Sequence, residues 1–249
     1  MKVGFIGCGN MASAMLGGII QKGVVAKEDL MASARTEKTR KKIKEEFQIA
    51  AIEDNKELAA KSDIIVLAIK PVYMEEVIEE IAECVTEEKI IVTLAPGKTL
   101  EWLDVTFGKP TKLIRTMPNT PALVGEGMTA LCPNELVSDR EMQVVEEIFQ
   151  SFGKTQVVSE PMIDVVVGVS GSSPAYVFLF IEAMADAAVA DGMMRAQAYE
   201  FAAQAVLGSA KMVLETGMHP GALKDMVCSP AGSTIEGVRT VSYTHLRAH

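Results

Sequence analysis

The residues that could do chemistry fall in two short glycine-containing stretches near opposite ends of the chain. Gly7-Cys8-Gly9-Asn10-Met11-Ala12 is a GxGxxA pattern that follows a short apolar run by one residue and opens a helical pattern. Gly7 permits a tight turn, Gly9 lets the backbone approach a pyrophosphate, and Ala12 lets the helix pack closely on the strand. The helix N-terminus then offers its unpaired N–H groups to phosphates, so this stretch reads as a dinucleotide loop. The second stretch is "CSPAGSTIEG", residues 228–237. Gly232, Ser233 and Thr234 can aim backbone N–H groups and hydroxyls at an anion where a helix starts. No strand precedes it, so on the residues alone it is either a helix cap or an anion site.

The rest of the inventory excludes several chemistries. The four cysteines, Cys8, Cys84, Cys132 and Cys228, include no close pair, and His245 and His249 lie in the last five residues. Neither a metal centre nor a Ser-His-Asp arrangement is expected from such a set, and no metal ligands are assigned. The serines of "SGSSPAYVF", Ser172 and Ser173, have no histidine to activate them; they read as the start of a helix with Pro174 in its first turn. Glu182 and Asp186 share a helical face and could mimic a carboxylate pair, but a solvated stripe or a subunit seam accounts for them. His219 reads as a cap or turn residue, and Met193 and Met194 as core or subunit contact. A formal net charge of −9, with the acids dispersed over "KEEF", "EDNKEL", "EEVIEEIAE" and "VVEEIFQ" as solvated helix faces, argues against a nucleic-acid surface. No leader pattern opens the chain, and the most apolar stretch, 175–190, is short and interrupted by Glu182 and Asp186. A soluble, cytoplasmic protein with no membrane contact is expected.

Two regions position these residues. Apolar runs at 2–6, 30–34, 63–69, 89–95 and 112–117 alternate with helical patterns. Continuous rather than alternating apolar runs suit strands buried on both faces of a parallel sheet. The expectation is α/β, an N-terminal Rossmann-like doubly wound sheet over residues 1–158, followed by an all-helical region over 159–249. In the second region "PAYVFLFIEAMADAAVADG" is apolar on nearly every face and is expected to pack on several sides, and "AQAYEFAAQAVLGSAKMVLETG" is a long helix closed by Gly217. The second run ends in Ser33-Ala34-Arg35 with no acid before Glu37. An NAD site places a carboxylate there; Arg35 instead suits a 2′-phosphate, so NADPH is the expected cofactor, with NADH possible.

Four stretches together resemble the pyrroline-5-carboxylate reductase family: "GFIGCGNMA", "LAIKP" (67–71), "RTMPNTPALVGEG" (115–127), and the pair "SGSSPAYVF" with "LKDMVCSPAGSTIEGVR" (223–239). The resemblance covers residues 1 to about 240. It implies NAD(P)H-dependent reduction of 1-pyrroline-5-carboxylate to L-proline by hydride transfer to the imine carbon, with the helical region serving dimerisation. It implies that Ala68, Ile69, Lys70 and Pro71 lie near the nicotinamide half of NADPH, with Ala95 and Gly97 beside it. Ser33, Arg35 and Asn55 would contact the adenosine end. "MPNTP" would shape the floor between cofactor and substrate, with Asn119 equally readable as part of a structural turn. Gly232, Ser233 and Thr234 would hold the substrate carboxylate, from a partner subunit, and Thr234 would hydrogen-bond the imine nitrogen and orient or relay its proton. Self-association as a dimer or a ring of dimers is implied. Pro96 and Ala231 depart from the family, which more often has Ala and Gly there; Ala231 is tolerable unless its φ must be positive. The family also continues beyond Thr240 with a further helical stretch, where this chain has "VSYTHLRAH", expected to be a truncation or a foreign tail. Two other readings compete. A β-hydroxyacid dehydrogenase needs a catalytic lysine on a helix that here has none, and a non-catalytic NADP sensor has no use for "SPAGST".

Overall fold

The computed structural model describes residues 1–244. Of the atypical tail, residues 245–249 lie outside the described residues. Contacts divide the chain into two compact units, Met1–Ala175 and Tyr176–His249. The join expected between 155 and 165 falls just ahead of a long helical segment, and the units divide within that segment.

The first unit alternates strands and helices: β1 (Val3–Ile6), α1 (Asn10–Lys22), β2 (Leu30–Ser33), α2 (Glu37–Phe47), β3 (Ala50–Ile52), α3 (Asn55–Lys61), β4 (Ile64–Leu67), α4 (Met74–Ile81), β5 (Ile90–Thr93), α5 (Leu100–Phe107), β6 (Lys112–Met117), β7 (Gly127–Pro133), α6 (Asp139–Gln150), β8 (Gly153–Val157) and α7 (Glu160–Val166). One sheet of eight strands runs in the order β3-β2-β1-β4-β5-β6-β7-β8. All neighbouring pairs are parallel except β6 and β7. β1, β2, β4 and β5 are buried at every position, which is why their apolar runs do not alternate. Phe5, Met15, Leu16, Phe149 and Phe152 form the core on one face of the sheet. Ile65, Leu67, Ile78, Ile81 and Phe107 form it on the other. The strand order reverses between β1 and β4, and in open α/β sheets ligands bind outside the carboxyl ends of the strands at such a switch point.

Side chains close several helix N-termini. Thr36 caps α2, Asp54 caps α3 and Thr99 caps α5, and Ser138 with Glu141 forms a reciprocal capping box on α6. The buried Arg115 on β6 holds α7, pairing with Glu160 at 3.0 Å and Asp164 at 3.7 Å. Asn119 pins the same segment, donating through Nδ2 to the Ser170 carbonyl at 2.9 Å and accepting from the Met128 N–H at 2.8 Å. The structural reading of Asn119 is therefore observed directly. Between α7 and α8 (Ser173–Ala190) the chain makes a π-helical turn, Val167–Gly171. "SGSS" thus lies within a helical path that runs from Glu160 to Ala190, with Ser172 donating its N–H to the Val167 carbonyl at 2.8 Å.

The second unit contains most of α8, then α9 (Arg195–Thr216), α10 (Pro220–Val227) and α11 (Ser233–Thr244). Gly217 ends α9 at φ 65°, as expected of a left-handed helix stop. His219 caps α10, its Nδ1 accepting from the Gly221 N–H at 3.0 Å. Among the described residues the buried hydrophobics of this unit are Ala185, Ala198 and Ala202. Phe178, Leu179, Phe201 and Leu214 stand more than half exposed. The expectation that α8 packs on several sides is thus corrected for a single chain: its apolar faces are open. Met193 and Met194 are exposed, so they are not core. Glu182 and Asp186 are exposed as well, and Asp186 pairs with Arg195.

Candidate active site

The glycine loop after β1 sits at the reversal of strand order. Gly7 has φ 91°, and a Cβ there would lie 2.6 Å from the Ala68 carbonyl oxygen, so only glycine fits the turn. Gly9 is the N-cap of α1 and, unlike the caps of α2, α3, α5 and α6, gives the helix no side-chain acceptor. No atom lies within 4 Å of a Cβ built on Gly9. Ala12 is buried beneath this turn. An uncapped helix N-terminus facing open space can take an anion on its first N–H groups.

Two adjoining clefts meet there. The larger, about 1060 Å³, is lined by Gly7, Cys8, Gly9, Ser33, Arg35, Asn55, Ala68, Ile69 and Lys70. The smaller, about 340 Å³, is lined by Gly9, Asn10, Met11, Ala12, Ala68, Ile69, Lys70, Leu94, Pro96, Met117 and Pro118. Most of the residues expected at the cofactor are thus brought together, and "MPNTP" contributes Met117 and Pro118 to the second floor. Pro71 starts a short 3-10 turn (Pro71–Tyr73) and lines neither cleft. Ala95 is buried in the core and Gly97 occupies an open turn at φ 75°; Leu94 and Pro96 face the cleft from the same loop.

Along the wall of the larger cleft, β2 delivers Ser33 and then Arg35, whose guanidinium lies 4.3 Å above the Tyr73 ring. Thr36 and Thr39, at the start of α2, share this wall. Of the carboxylates lining the cleft, Glu53 is paired with Arg40 at 3.0 Å. Ser33 Oγ donates to Asn55 Oδ1 at 2.7 Å, and Asn55 Nδ2 donates to Glu80 Oε2 at 2.8 Å. Burial pushes the Cys8 thiol up from its ordinary value, against a weak contact with the Ser13 hydroxyl at 3.9 Å. It is thus held as a neutral wall residue.

The serine-threonine loop lies in the second unit. A Cβ on Gly232 would meet Ser229 Oγ at 2.4 Å, so the Ser229 side chain would have to rotate away to admit any other residue there. Ser233 and Thr234 are exposed at the start of α11. Ala231 takes φ 58°, so the condition under which alanine would be ill suited is met.

Sequence reasoning missed Tyr73, Thr36, Thr39, Leu94, Pro96 and Glu80. Glu80 belongs to "EEVIEEIAE", read as a solvated face; its contact with Asn55 comes from α4, with no local signal to mark it.

Comparison with known proteins identifies the lineage. Pyrroline-5-carboxylate reductase of Escherichia coli (strain K12) is 54% identical over 247 residues, covering 99% of this chain and 92% of that protein. The chain belongs to the pyrroline-5-carboxylate reductase family. The family member from Methanosarcina acetivorans is 41% identical over the same shares. Residues 160–249 match the family described as pyrroline-5-carboxylate reductase dimerisation, and residues 2–97 match NADP oxidoreductase, coenzyme F420-dependent. Among solved structures, the Coxiella burnetii pyrroline-5-carboxylate reductase aligns with TM-score 0.90 at 33% identity, over 97% of this chain and 90% of that one. The Plasmodium falciparum pyrroline carboxylate reductase with NADP bound gives 0.88 at 33%, over 97% and 89%. The open apolar faces of α8 and α9 lie within the segment matched to dimerisation, which accounts for a helical unit whose buried residues are alanines.

Proposed function

We propose that this chain reduces 1-pyrroline-5-carboxylate to L-proline with NADPH, by hydride transfer to the imine carbon. The observation that carries the cofactor half is the uncapped N-terminus of α1, opening on a cleft that has Arg35 where an NAD site has a carboxylate. Gly7, Cys8, Gly9, Asn10, Met11 and Ala12 would hold the pyrophosphate, Ser33, Arg35 and Asn55 the adenosine end, and Ala68, Ile69 and Lys70 the nicotinamide half. Pro71, Ala95 and Gly97 would shape the backbone behind it. When bound, NADPH supplies the hydride.

The chain's own task is to position and shield. Leu94, Pro96, Met117 and Pro118 give the second cleft an apolar wall that excludes water beside the reacting carbon. Gly232, Ser233 and Thr234, contributed by a partner subunit, present N–H groups and hydroxyls to the substrate carboxylate. Thr234 Oγ hydrogen-bonds the imine nitrogen; a hydroxyl is a weak acid, so it orients the protonated imine rather than supplying the proton. Orientation of this kind lowers a barrier by roughly 7–11 kcal/mol in favourable cases, which suits clefts lined by no histidine. Thr234→Ala should lower kcat by about a hundredfold, in the range found for removing one aligned hydrogen-bonding group from an active site, while NADPH binding persists. Turnover within about threefold of the unsubstituted chain would remove Thr234 from this role.

The family's dimerisation segment supports a dimer, and apolar side chains exposed on α8, α9 and α10 leave room for a ring of dimers, which sedimentation would distinguish. The helical path from Glu160 to Ala190 is long and apolar enough to cross a bilayer by length and composition. Its position in the dimerisation match favours a protein partner and no membrane. The acidic balance favours no nucleic-acid partner, and a cytoplasmic location fits a soluble metabolic reductase.

A further inference from the structure

We infer that Glu80 is a positioning residue for the cofactor: it fixes the hydrogen-bonding polarity of Ser33 and Asn55 at the adenosine end of the cleft. The inference rests on the reading of that cleft as the NADPH site. Three side chains from three elements form one line. Glu80 Oε2 on α4 accepts from Asn55 Nδ2 at 2.8 Å, and Asn55 Oδ1 accepts from Ser33 Oγ at 2.7 Å. All three line the same cleft.

The direction of these bonds follows from the carboxylate. An ionised carboxylate only accepts, so Asn55 must turn its NH₂ group toward Glu80; the opposite amide orientation would set two oxygens against each other. Asn55 Oδ1 then faces Ser33 and accepts the hydrogen bond from its hydroxyl. Each residue is left with one kind of capacity. Asn55 keeps its second N–H as a donor, and Ser33 keeps only lone pairs. An oxygen whose proton is already engaged in this way repels a phosphate and suits a ribose hydroxyl or an exocyclic amine. The 2′-phosphate is thereby left to Arg35 and the start of α2, and the Ser33–Asn55 pair reads the part of the cofactor that NADPH and NADH share. Glu80 needs no contact with the cofactor to do this. It is half-buried beside an asparagine that also opens α3, so the bond spans two helices on one side of the sheet.

The test is steady-state kinetics with both cofactors on the full chain. Glu80→Leu frees the Asn55 amide to rotate and should raise KM for NADPH and for NADH by the same factor, about tenfold, with kcat at saturation retained; that factor corresponds to losing one hydrogen bond to a charged acceptor. Glu80→Gln keeps an acceptor at the same reach but can also present its NH₂ group, so its KM should lie between those of the unsubstituted chain and Glu80→Leu. Asn55→Ala should raise KM similarly, and the double variant Asn55→Ala with Glu80→Leu should be no worse than Asn55→Ala alone, because Glu80 acts only through Asn55. Unchanged KM values in Glu80→Leu, effects of the two substitutions that add in full, or a loss confined to NADPH would each overturn the inference. Failure of the unsubstituted chain to bind NADPH, read by the cofactor's fluorescence, would instead overturn the reading of the cleft.

Discussion

Replacing Arg35 with alanine should separate the two nicotinamide cofactors. Arg35 stands just past the C-terminal end of β2, its guanidinium 4.3 Å above the Tyr73 ring, with Thr36 and Thr39 beside it on the cleft wall. Its charge is held in place by stacking rather than by an ion pair, so it remains available to an incoming phosphate. Two unit charges about 4 Å apart attract by about 4 kcal/mol at an effective dielectric of about 20 and by about 1 kcal/mol in bulk water. Arg35 is exposed, so the net value falls between these, near the 1.5 kcal/mol or so at the low end for hydrogen bonds to charged groups. Arg35→Ala should therefore raise KM for NADPH about tenfold to thirtyfold and leave KM for NADH within about twofold. Arg35→Lys should fall between the two, keeping charge without the planar fork. Initial rates at varied NADPH and NADH, with saturating imine, read the effect directly. Equal losses for both cofactors, or none, would refute a 2′-phosphate contact at Arg35.

Three further outcomes follow from the geometry. Arg115→Leu leaves the partly buried Glu160 carboxylate with the Leu100 N–H at 2.7 Å but without its guanidinium, frees the exposed Asp164, and should destabilise the chain by about 1–2 kcal/mol in urea unfolding; an unchanged unfolding midpoint would contradict a structural ion pair. Ala231→Gly relieves a left-handed alanine, offset in part by the greater freedom of glycine when unfolded, and should stabilise by about 0.5–1 kcal/mol; a fall in the unfolding midpoint would contradict it. The Cys8 thiol, raised by burial, stays protonated near neutral pH, and its thiolate appears only as pH rises through the elevated value. Iodoacetamide should modify Cys8 slowly at neutral pH, faster as pH rises, and less with NADPH present; rapid pH-independent labelling would contradict this.

The elements most readily read from sequence were those whose environment leaves a one-dimensional trace. β1, β2, β4, β5 and β6 are continuous apolar runs because helices cover both faces of the sheet. β3 is three residues long, β8 reads GKTQV and is largely open, and β7 runs antiparallel between Gly127 and Pro133, so none carries that trace. The glycine loop was legible because Gly7 is a steric requirement of the turn and Gly9 leaves the N-terminus of α1 open. The Ser33–Asn55–Glu80 line was not, since it joins β2, α3 and α4, and each residue alone is an ordinary polar residue at an element's end or face. Arg115 lay within a quoted motif, but only the fold shows that it is buried against α7. The surface of α8 went the other way: its all-round apolar pattern predicted packing on several sides, yet a single chain leaves those faces open because dimerisation is what the segment serves in the family.

This chain should reduce a cyclic imine with NADPH. The measurement that tests it most directly is the rate of NADPH oxidation with 1-pyrroline-5-carboxylate, run beside NADH with the imine and NADP⁺ with a 3-hydroxy acid. The account predicts rapid imine-dependent oxidation of NADPH, slower oxidation of NADH, and no turnover of the hydroxy acid. A chain that binds NADPH yet stays silent with the imine, or that oxidises the hydroxy acid, would contradict it.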